Sequence, residues 1–343
     1  MEVDITMKGF ETIKGYLFNL IIYTDEQRRS EYFHNLVHAF IEKYPCRVIF
    51  IRIDDTFKGD HLETSRVDSA AVGTPCDQLV ITASPSQVDR VPVMILPRLV
   101  PDLPIYLVWG QNPTSENTIL MQLKSLSSRL VYDSECAKDL QDFSKKMLSM
   151  IEKMKIDYMD VDWAEISGWR DVITQTFLSA EKFALLKRCK HLLIKFNKVD
   201  DQFIKHFATE AIYLQGWLAG QLGWEYQSIK YDDDTITIHY KNGEIDLEVV
   251  LQPQERPTLI QGKIFEVEWA TVENLSVTLS LAEIQSKVMV YISTPEKCNL
   301  PFSLPFSDIQ KGFNAMKEIF YFRTSDHYCN MLRVLSTIPW MKK

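Results

Sequence analysis

Few residues of this sequence have the types and spacings that chemistry requires. His34 and His38 stand four residues apart in a helical pattern, which is the spacing of two metal ligands on one helix face. The residue after His34 is Asn35, whereas the zinc motif HExxH has glutamate there, and no third ligand follows nearby. Asp232–Asp234 could hold a cation, but this triplet precedes a strand and lacks the frame of an EF-hand loop. The sequence therefore predicts polar-face histidines, a solvated acidic turn and no metal site.

Binding of a nucleotide cofactor requires glycines at the first strand–helix turn of an α/β domain. Those glycines let the backbone approach a pyrophosphate that sits on the helix N-terminus. The turn here is Tyr23-Thr24-Asp25-Glu26, which has no glycine and places two carboxylates where a phosphate would bind. The motifs GxGxxG, GxxxxGKS/T and GxSxG are absent from the whole sequence. We therefore expect no cofactor bound in a standard mode and no catalytic residues of a standard kind.

Three glycines are clustered in the segment Tyr213–Trp224, at Gly216, Gly220 and Gly223. The surrounding residues have a helical pattern, and small residues on one side of a helix allow another helix to approach closely. Glycine also supplies the left-handed conformation that often ends a helix. The cluster thus predicts a close helix–helix contact followed by a helix end at Gly223.

Composition and charge narrow the class of protein. The chain has 343 residues, of which 46% are hydrophobic and 24% charged, and these are the values of an ordered globular protein of two domains. The net charge of −8 argues against a nucleic-acid binder, which needs a basic face. No apolar run reaches the roughly 18 residues of a membrane helix, and no signal-peptide pattern opens the sequence. We expect a cytoplasmic protein, with no membrane and no nucleic acid among its partners.

The six cysteines and the densest basic cluster also lack a motif. No two cysteines stand in a CxxC spacing, so we expect reduced thiols, several of them buried; a long-range regulatory disulfide stays open. The basic cluster is Lys187–His191, which is typical of the solvated end of a helix.

The order of periodic segments predicts two different folds in succession. The first half alternates short apolar strands with amphipathic helices, which indicates βαβ units and a mostly parallel sheet covered by helices on both faces. The predicted strands are 16–23, 47–53, 77–83, 104–109 and 129–132, with helices starting at 24, 84, 116 and 136 and a loop over 54–75.

The second half begins with two predicted helices, 169–189 and 201–222, and then changes to a period of two. Residues 234–250 form the clearest hairpin, because Asn242-Gly243 accepts the positive φ angles of a type I′ turn. Further alternating runs at 259–269, 271–280 and 286–293 predict an antiparallel sheet, and helices are expected from Ser307 and after Ser325. We therefore predict an α/β domain over 1–156 and an α+β domain over 157–343.

Tryptophan, arginine and proline are concentrated in three segments in a way that favours a protein–protein interface. Trp and Arg are enriched at interface hot spots because each desolvates much area and keeps a polar handle. Packing in the core is the alternative for each tryptophan. The candidate partner-binding residues, taken as a surface or its scaffold, are Asp102, Trp109, Trp163, Trp169, Arg170, Trp217 and Trp224.

Four segments together resemble the OpcA family, the glucose-6-phosphate dehydrogenase assembly proteins. They are Pro45–Ile49, Leu96–Pro104 running into Leu107–Trp109, Asp160–Arg170 and Tyr213–Trp224. They stand in the family's order and span most of both predicted domains. Gly168 stands where the family commonly has proline, and Val108 replaces one of two adjacent tryptophans, which indicates a divergent member.

The resemblance implies a protein that binds the glucose-6-phosphate dehydrogenase oligomer, promotes its assembly and activates it allosterically without catalysing a reaction itself. In photosynthetic members it also implies a link to redox control. One alternative is an enzyme that acts on a sugar phosphate at the strand ends of the first sheet, with Arg47, Arg52 and Arg98 as phosphate ligands or, otherwise, as surface ion pairs. A structural protein that oligomerises without regulating anything is a third possibility.

Overall fold

The computed structural model describes residues 15–25, 33–34, 37, 44–57, 59–68, 76–153, 156–199, 208–282, 286–306 and 323–340. Of the predicted helix from residue 24, the structure describes residues 24–25, 33–34 and 37, and the last three are helical. The rest of that helix lies outside these ranges, as do His38, residues 201–207 and the predicted helix from Ser307.

The first half of the chain folds around a seven-stranded sheet in the order β3-β4-β2-β1-β5-β6-β7. All neighbouring strands are parallel except β3 and β4, which are antiparallel. The strands are β1 (Asn19–Thr24), β2 (Cys46–Ile53), β3 (Leu62–Asp68), β4 (Cys76–Ala83), β5 (Ile105–Trp109), β6 (Arg129–Tyr132) and β7 (Asp157–Asp160). The predicted mostly parallel sheet is confirmed.

Helices cover this sheet because its central strands are apolar on both faces. In β1, for example, Ile21 and Tyr23 face one group of buried apolar side chains, whereas Leu20 and Ile22 face another. The helices whose bounds lie within the described part of this half are α1 (Val91–Ile95), α2 (Thr118–Lys124) and α3 (Leu140–Lys153), with 3-10 turns at Pro85–Arg90, Leu96–Arg98 and Ser134–Cys136. Their buried apolar residues join the group of Ile21, whereas the helical residues Phe33 and Val37 join the group of Leu20.

Two strands of this sheet, β3 and β7, differ from the prediction. The prediction of a loop over all of 54–75 was wrong, because this range contains the edge strand β3, which pairs with β4 and whose sequence has no apolar alternation to signal it. The last strand, β7, comprises residues 157–160 and so lies just beyond residue 156, the predicted end of the first domain. The division into two domains itself stays a prediction.

The second half contains an eight-stranded, mostly antiparallel sheet in the order β15-β14-β13-β12-β8-β11-β10-β9, as the sequence predicts. One pair at its centre, β8 and β11, is parallel. The strands are β8 (Cys189–Asn197), β9 (Glu225–Asp232), β10 (Thr235–Asn242), β11 (Ile245–Gln254), β12 (Ile264–Thr271), β13 (Ser276–Leu281), β14 (Lys287–Ser293) and β15 (Phe302–Pro305).

The helices of the second half lie against one face of this sheet and against the first half. They are α4 (Val161–Glu165), α5 (Ser167–Thr176), α6 (Ala180–Leu186), α7 (Thr209–Leu222) and α8 (Asp326–Leu335). The prediction of one helix over 169–189 was wrong: the chain leaves the helix at Phe177, starts α6 after Ser179 and enters β8 at Cys189.

The close helix–helix contact predicted from glycine is confirmed between α7 and α8. A Cβ on Gly216 would lie 2.9 Å from Leu335 Cδ2, and one on Gly220 would lie 3.2 Å from the backbone of Asn330. Gly223 ends α7 with φ 71°, as expected of a left-handed helix end.

Buried apolar residues from both sheets form one continuous core. It includes Ile21 and Leu107 of the first sheet and Ile194 and Val249 of the second. No helix within the described residues is both long and apolar enough to cross a membrane.

Candidate functional site: a buried acidic junction

Acidic side chains meet at the carboxyl ends of β6 and β7. Asp133 follows β6, Asp160 is the last residue of β7 and Asp162 lies in the first turn of α4. Neighbouring parallel strands end at one edge of a sheet, and this is the edge where α/β proteins bind ligands. Glu135, in the 3-10 turn after β6, completes a group of four carboxylates that are each at most 5% exposed.

Local sequence explains why two of these acids are present. Asp133 precedes the 3-10 turn, and its Oδ1 accepts a hydrogen bond from the Glu135 backbone N–H at 3.1 Å. Asp160 precedes α4, and its Oδ1 accepts from the Asp162 N–H at 3.0 Å. Both are N-caps, which satisfy backbone donors at a helix start and place a negative charge at the positive end of the helix dipole.

Asp160 also connects distant parts of the chain. Its Oδ2 accepts hydrogen bonds from the Tyr213 hydroxyl of α7 at 2.7 Å and from the Tyr328 hydroxyl of α8 at 3.1 Å. Burial raises the pKa of Asp160 to about 6, while its hydrogen-bond donors, Tyr213, Ser134, the Asp162 backbone and Tyr328, oppose that rise. One carboxyl group thus ties the first sheet to two helices of the second half.

Ser134 lies between two of the acids. Its Oγ is 3.0 Å from Asp160 Oδ1 and 2.6 Å from Asp162 Oδ2, but a hydroxyl has a single proton to donate. Asp162 Oδ2 also accepts from the Glu135 N–H at 3.1 Å. The serine hydroxyl can therefore donate to only one of the two carboxylates at a time, and the Asp162 and Glu135 backbone N–H groups are further donors to Asp160 and Asp162.

A lysine lies close to this group and connects it to the second sheet. Lys263 Nζ, just before β12, is 2.7 Å from Glu165 Oε2 of α4 and 3.3 Å from Glu210 Oε1 of α7. The three side chains are at most 10% exposed. Gly262, with φ 81°, lies beside Glu135, since a Cβ there would be 4.0 Å from Glu135 Oε1. We define the acidic junction as Asp133, Glu135, Asp160, Asp162, Glu165, Glu210 and Lys263.

The chemical capacity of the acidic junction is to hold protons and charge between the two sheets. One oxygen each from Asp133, Glu135 and Asp162 lie within 4.8 Å of one another. Carboxylates at this spacing are not by themselves a metal site, and two of these three acids serve the local turns through hydrogen bonds to Glu135 N–H. The geometry therefore supports a structural, proton-holding connection.

Aromatic side chains lie at the place where a dinucleotide would approach the first sheet. The switch in strand order falls between β1 and β5. On one face the Tyr23 and Trp109 rings stack at 4.1 Å, and the Tyr23 hydroxyl accepts a hydrogen bond from Asn117 Nδ2 at 2.8 Å. On the other, Phe33 is fully buried against Gly110, where an added Cβ would lie 2.4 Å from the Phe33 ring.

The predicted partner-binding tryptophans are mostly buried. Trp109 and Trp169 are 0% exposed, Trp163 is 3% and Trp224 is 5%. In this conformation these four can support a surface but cannot themselves touch a partner. Trp217 is half-buried beside the core.

The two charged candidates are more accessible. Arg170 is half-buried, and its guanidinium carbon lies 3.5 Å from the Trp163 ring centroid; Trp163 in turn packs on Tyr328 at 5.6 Å between ring centroids. Asp102 is exposed, with φ 63°, before β5, and so lies at the opposite end of that strand from Trp109. The structure therefore brings Trp163 and Arg170 together, but Asp102 and Trp109 stay apart.

The three arginines of the sugar-phosphate alternative do not form one site. Arg47 starts β2, pairs with Asp77 at 3.0 Å and donates to the Arg98 carbonyl at 3.1 Å. Arg52 lies near the other end of β2, where it is 4.0 Å from Asp54. Five residues of strand separate Arg47 from Arg52 by about 17 Å, so Arg47 and Arg98 lie at the edge opposite to the usual ligand edge.

The acidic junction was missed because its members lie far apart in the sequence and match no motif. Asp160, Asp162 and Glu165 do belong to the family-like segment Asp160–Arg170, which is the one signal that pointed to them. Lys263 and Glu210 carry no such signal.

The fold resembles those of solved proteins that include oxidoreductases. Levoglucosan dehydrogenase, in complex with NADH and L-sorbose, aligns with a TM-score of 0.53 at 10% identity, over 93% of this chain and 91% of that one. The super-repressor mutant of Gal80p from Saccharomyces cerevisiae aligns with a TM-score of 0.51 at 9% identity, over 93% of each chain. At such identities these likenesses show the fold alone.

Sequence comparison confirms the resemblance to the OpcA family. Residues 37–149 match the family model described as the glucose-6-phosphate dehydrogenase subunit N-terminal domain. The OxPP cycle protein OpcA of Synechococcus elongatus is 20% identical over 73% of this chain and 56% of its own length. The chain spans between a third and about half of the length of the curated relatives it matches.

Proposed function

We propose that this chain is a non-catalytic partner of glucose-6-phosphate dehydrogenase that promotes its assembly and activates it allosterically. It would act in the oxidative pentose phosphate pathway, in the cytoplasm. The observation that carries the proposal is the match of residues 37–149 to the family model of the dehydrogenase subunit domain. Relatives named as OxPP cycle proteins, aligned over up to 73% of the chain, support the pathway.

The geometry at the first sheet is compatible with a protein that binds rather than catalyses. Phe33 packs on Gly110 where the cofactor would approach the switch point, and Asp25 follows β1 where a phosphate would need a helix N-terminus. The contacts of the acidic junction connect β6, β7, α4, α7, α8 and β12. This structural role explains why so many polar side chains are buried there without requiring a reaction.

An activator works by binding the active conformation of its target more tightly than the inactive one. A difference of about 1–3 kcal/mol between the two affinities corresponds to a change of about 5- to 150-fold in the equilibrium. A surface held rigid by one continuous core loses little conformational entropy on binding, so more of the contact energy remains for this difference. Asp102, Arg170 and Trp217 are the predicted partner residues with accessible surface, and the buried tryptophans would support them.

The proposal is tested by mixing the purified protein with the dehydrogenase of the same cell. We expect the two to elute together from a size-exclusion column, the dehydrogenase to shift to a larger species, and its rate with glucose 6-phosphate to rise. If each protein elutes from the mixture where it elutes alone, and the rate of the dehydrogenase is unchanged, the proposal is refuted. Turnover of a sugar phosphate by this chain alone would favour the enzyme alternative.

A further inference from the structure

Exposed apolar side chains are concentrated where helix α6 adjoins the edge strand β15. Leu178, shortly before α6, is 78% exposed, and Leu300, shortly before β15, is 92% exposed. Phe183 on α6 and Phe302 on β15 are 42% and 38% exposed. Single exposed leucines are common on protein surfaces, but a group of large apolar side chains on adjoining elements marks an interaction site.

Two lysines interleave with these apolar side chains. Lys182 Nζ of α6 lies 5.6 Å from the Phe302 ring centroid and so connects α6 with β15. Lys187 Nζ, at the end of α6, lies 4.9 Å from the Phe183 ring centroid. Both contacts are of the cation–π type, which holds an ammonium group over an aromatic face. We call this surface the lysine–aromatic patch; it consists of Leu178, Lys182, Phe183, Lys187, Leu300 and Phe302.

Leu178 is exposed although the backbone on both sides of it is held in place. Its neighbour Phe177 is 6% exposed and packs edge-on against Trp269 of β12, with 5.4 Å between ring centroids. On the other side, the Ser179 side chain accepts a hydrogen bond from the Lys182 backbone N–H and so starts α6. Leu178 is therefore presented to solvent by a fixed segment, and a partner would meet a preformed surface.

The charge of the patch defines the chemistry of a matching surface. The whole chain has a net charge of −8, yet residues 181–190 contain Lys182, Lys187, Arg188 and Lys190 against a single acid, Glu181. Arg188 pairs with Glu273, and Lys190 donates to Asn274 Oδ1 at 2.8 Å, which leaves the two lysines of the patch on its aromatic faces. Ammonium groups that a partner desolvates require carboxylates opposite them.

We propose that the lysine–aromatic patch is a surface through which this chain contacts glucose-6-phosphate dehydrogenase, and that the matching dehydrogenase surface presents carboxylates around an apolar centre. This inference rests on the proposed function, because it takes the dehydrogenase as the partner. An anionic membrane has the same charge, but membrane-surface helices present a long apolar face, whereas α6 has seven residues. Phe183 and Leu178, each on a fixed backbone, fit a shaped protein surface better.

The test compares the dehydrogenase affinity of matched variants by surface plasmon resonance. We expect Leu178→Ser combined with Phe183→Ser to weaken binding at least about tenfold, because truncating buried anchors has effects of this size. Lys187→Glu should weaken binding by a similar factor and reduce its salt dependence, since it places like charges opposite each other. The control is Val93→Ser combined with Met121→Ser, which removes side chains of similar exposure, 69% and 53%, from the first half.

Each outcome decides one claim. The proposal is supported if the wild type and the control bind the dehydrogenase, the patch variants do not, and all melting temperatures are unchanged. Variants that bind as the wild type does overturn the patch and leave the proposed function standing. A wild type that does not bind the dehydrogenase overturns both. If vesicles containing phosphatidylserine bind the wild type but not Lys187→Glu, and the dehydrogenase binds both equally, the patch is a membrane surface and the proposal is wrong.

Discussion

Asp160 shows how opposing effects set the state of one buried carboxyl group. Complete burial removes the water that stabilises its charge, whereas the tyrosine, serine and backbone donors around it favour the ionised form. Burial is the largest effect, so the pKa of Asp160 rises from 3.8 to about 6.

This pKa predicts how stability depends on pH. Because the folded pKa of Asp160 is above its unfolded value, its contribution to stability is fully present below about pH 4 and is lost as pH rises through about 6, with an upper limit near 3 kcal/mol for two pKa units. We expect the free energy of unfolding of wild type minus that of Asp160→Asn to fall between these pH values. Urea unfolding at several pH values measures this difference.

A control variant isolates the effect from other carboxylates. Asp142→Asn, which removes a carboxylate whose side chain is 72% exposed, is the matched control and is measured over the same pH range. A wild-type minus Asp160→Asn difference that does not change with pH would show that Asp160 is ionised throughout.

Residue type alone does not tell whether a tryptophan lies at an interface or in the core. Trp and Arg are common at interfaces, which favoured a partner surface around Trp169, but the same large apolar area makes a tryptophan a core residue when elements surround it. Trp169 is 0% exposed and packs against Phe306 at 5.2 Å between ring centroids. We therefore expect Trp169→Ala to lower the free energy of unfolding by about 3–5 kcal/mol. Weaker partner binding by this variant could then not be assigned to a lost contact with the partner.

At the scale of elements, the contact between α7 and α8 separates two glycines that look alike in sequence. An added Cβ on Gly216 meets side-chain atoms, Leu335 Cδ2 at 2.9 Å and Met331 Cγ at 3.2 Å, and both residues are fully buried, so they can adjust only by repacking. An added Cβ on Gly220 meets the backbone carbonyl group of Asn330 at 3.2 Å, and backbone in a packed helix cannot shift without disturbing the whole contact.

We therefore predict that Gly220→Ala destabilises the protein more than Gly216→Ala does. Alanine favours a helix over glycine by about 1 kcal/mol, which offsets part of the cost of repacking side chains at Gly216. At Gly220 the forced separation of the helices should outweigh that gain and lower the free energy of unfolding by about 1–2 kcal/mol. Thermal unfolding of the two variants measures this, and equal melting temperatures would contradict the packing argument.

Elements with a strong period were predicted well, and those whose pattern overlapped another were not. The hairpin of β10 and β11 follows from alternating apolar residues around Asn242-Gly243. Strand β8 also alternates, with Leu192, Ile194 and Phe196 buried, but it begins directly after a helix and inside the basic cluster Lys187–His191. The predicted helix ended at Cys189 and no element was predicted for residues 190–197, where pairing with β11 and β12 forms the strand.

At the scale of the whole molecule, the acidic junction shows the limit of sequence information. Its members come from residues 133–135, 160–165, 210 and 263, and their proximity results from how the two sheets meet. The mostly parallel and mostly antiparallel sheets could be predicted because each has a local period. No local pattern encodes which acids face each other across them.

The same meeting of the sheets predicts how the protein unfolds. The two predicted domains, divided after residue 156, could unfold separately if little held them together. However, one continuous group of buried apolar residues includes Ile21 of β1 and Val249 of β11, and Asp160 and Lys263 connect β7 and β12 to helices of the second half. Because these contacts would be lost together, we expect both sheets to unfold in a single cooperative step.

Hydrogen exchange measured by mass spectrometry in increasing urea tests this expectation. Amides of β1 and β5 should lose protection at the same urea concentration as those of β8 and β11, and Lys263→Met should lower that concentration for both sheets equally. Loss of protection in β8 and β11 while β1 and β5 remain protected would show two independent units. In that case an activator could not transmit a contact at one sheet to a surface on the other, and its contacts with the dehydrogenase would have to act separately.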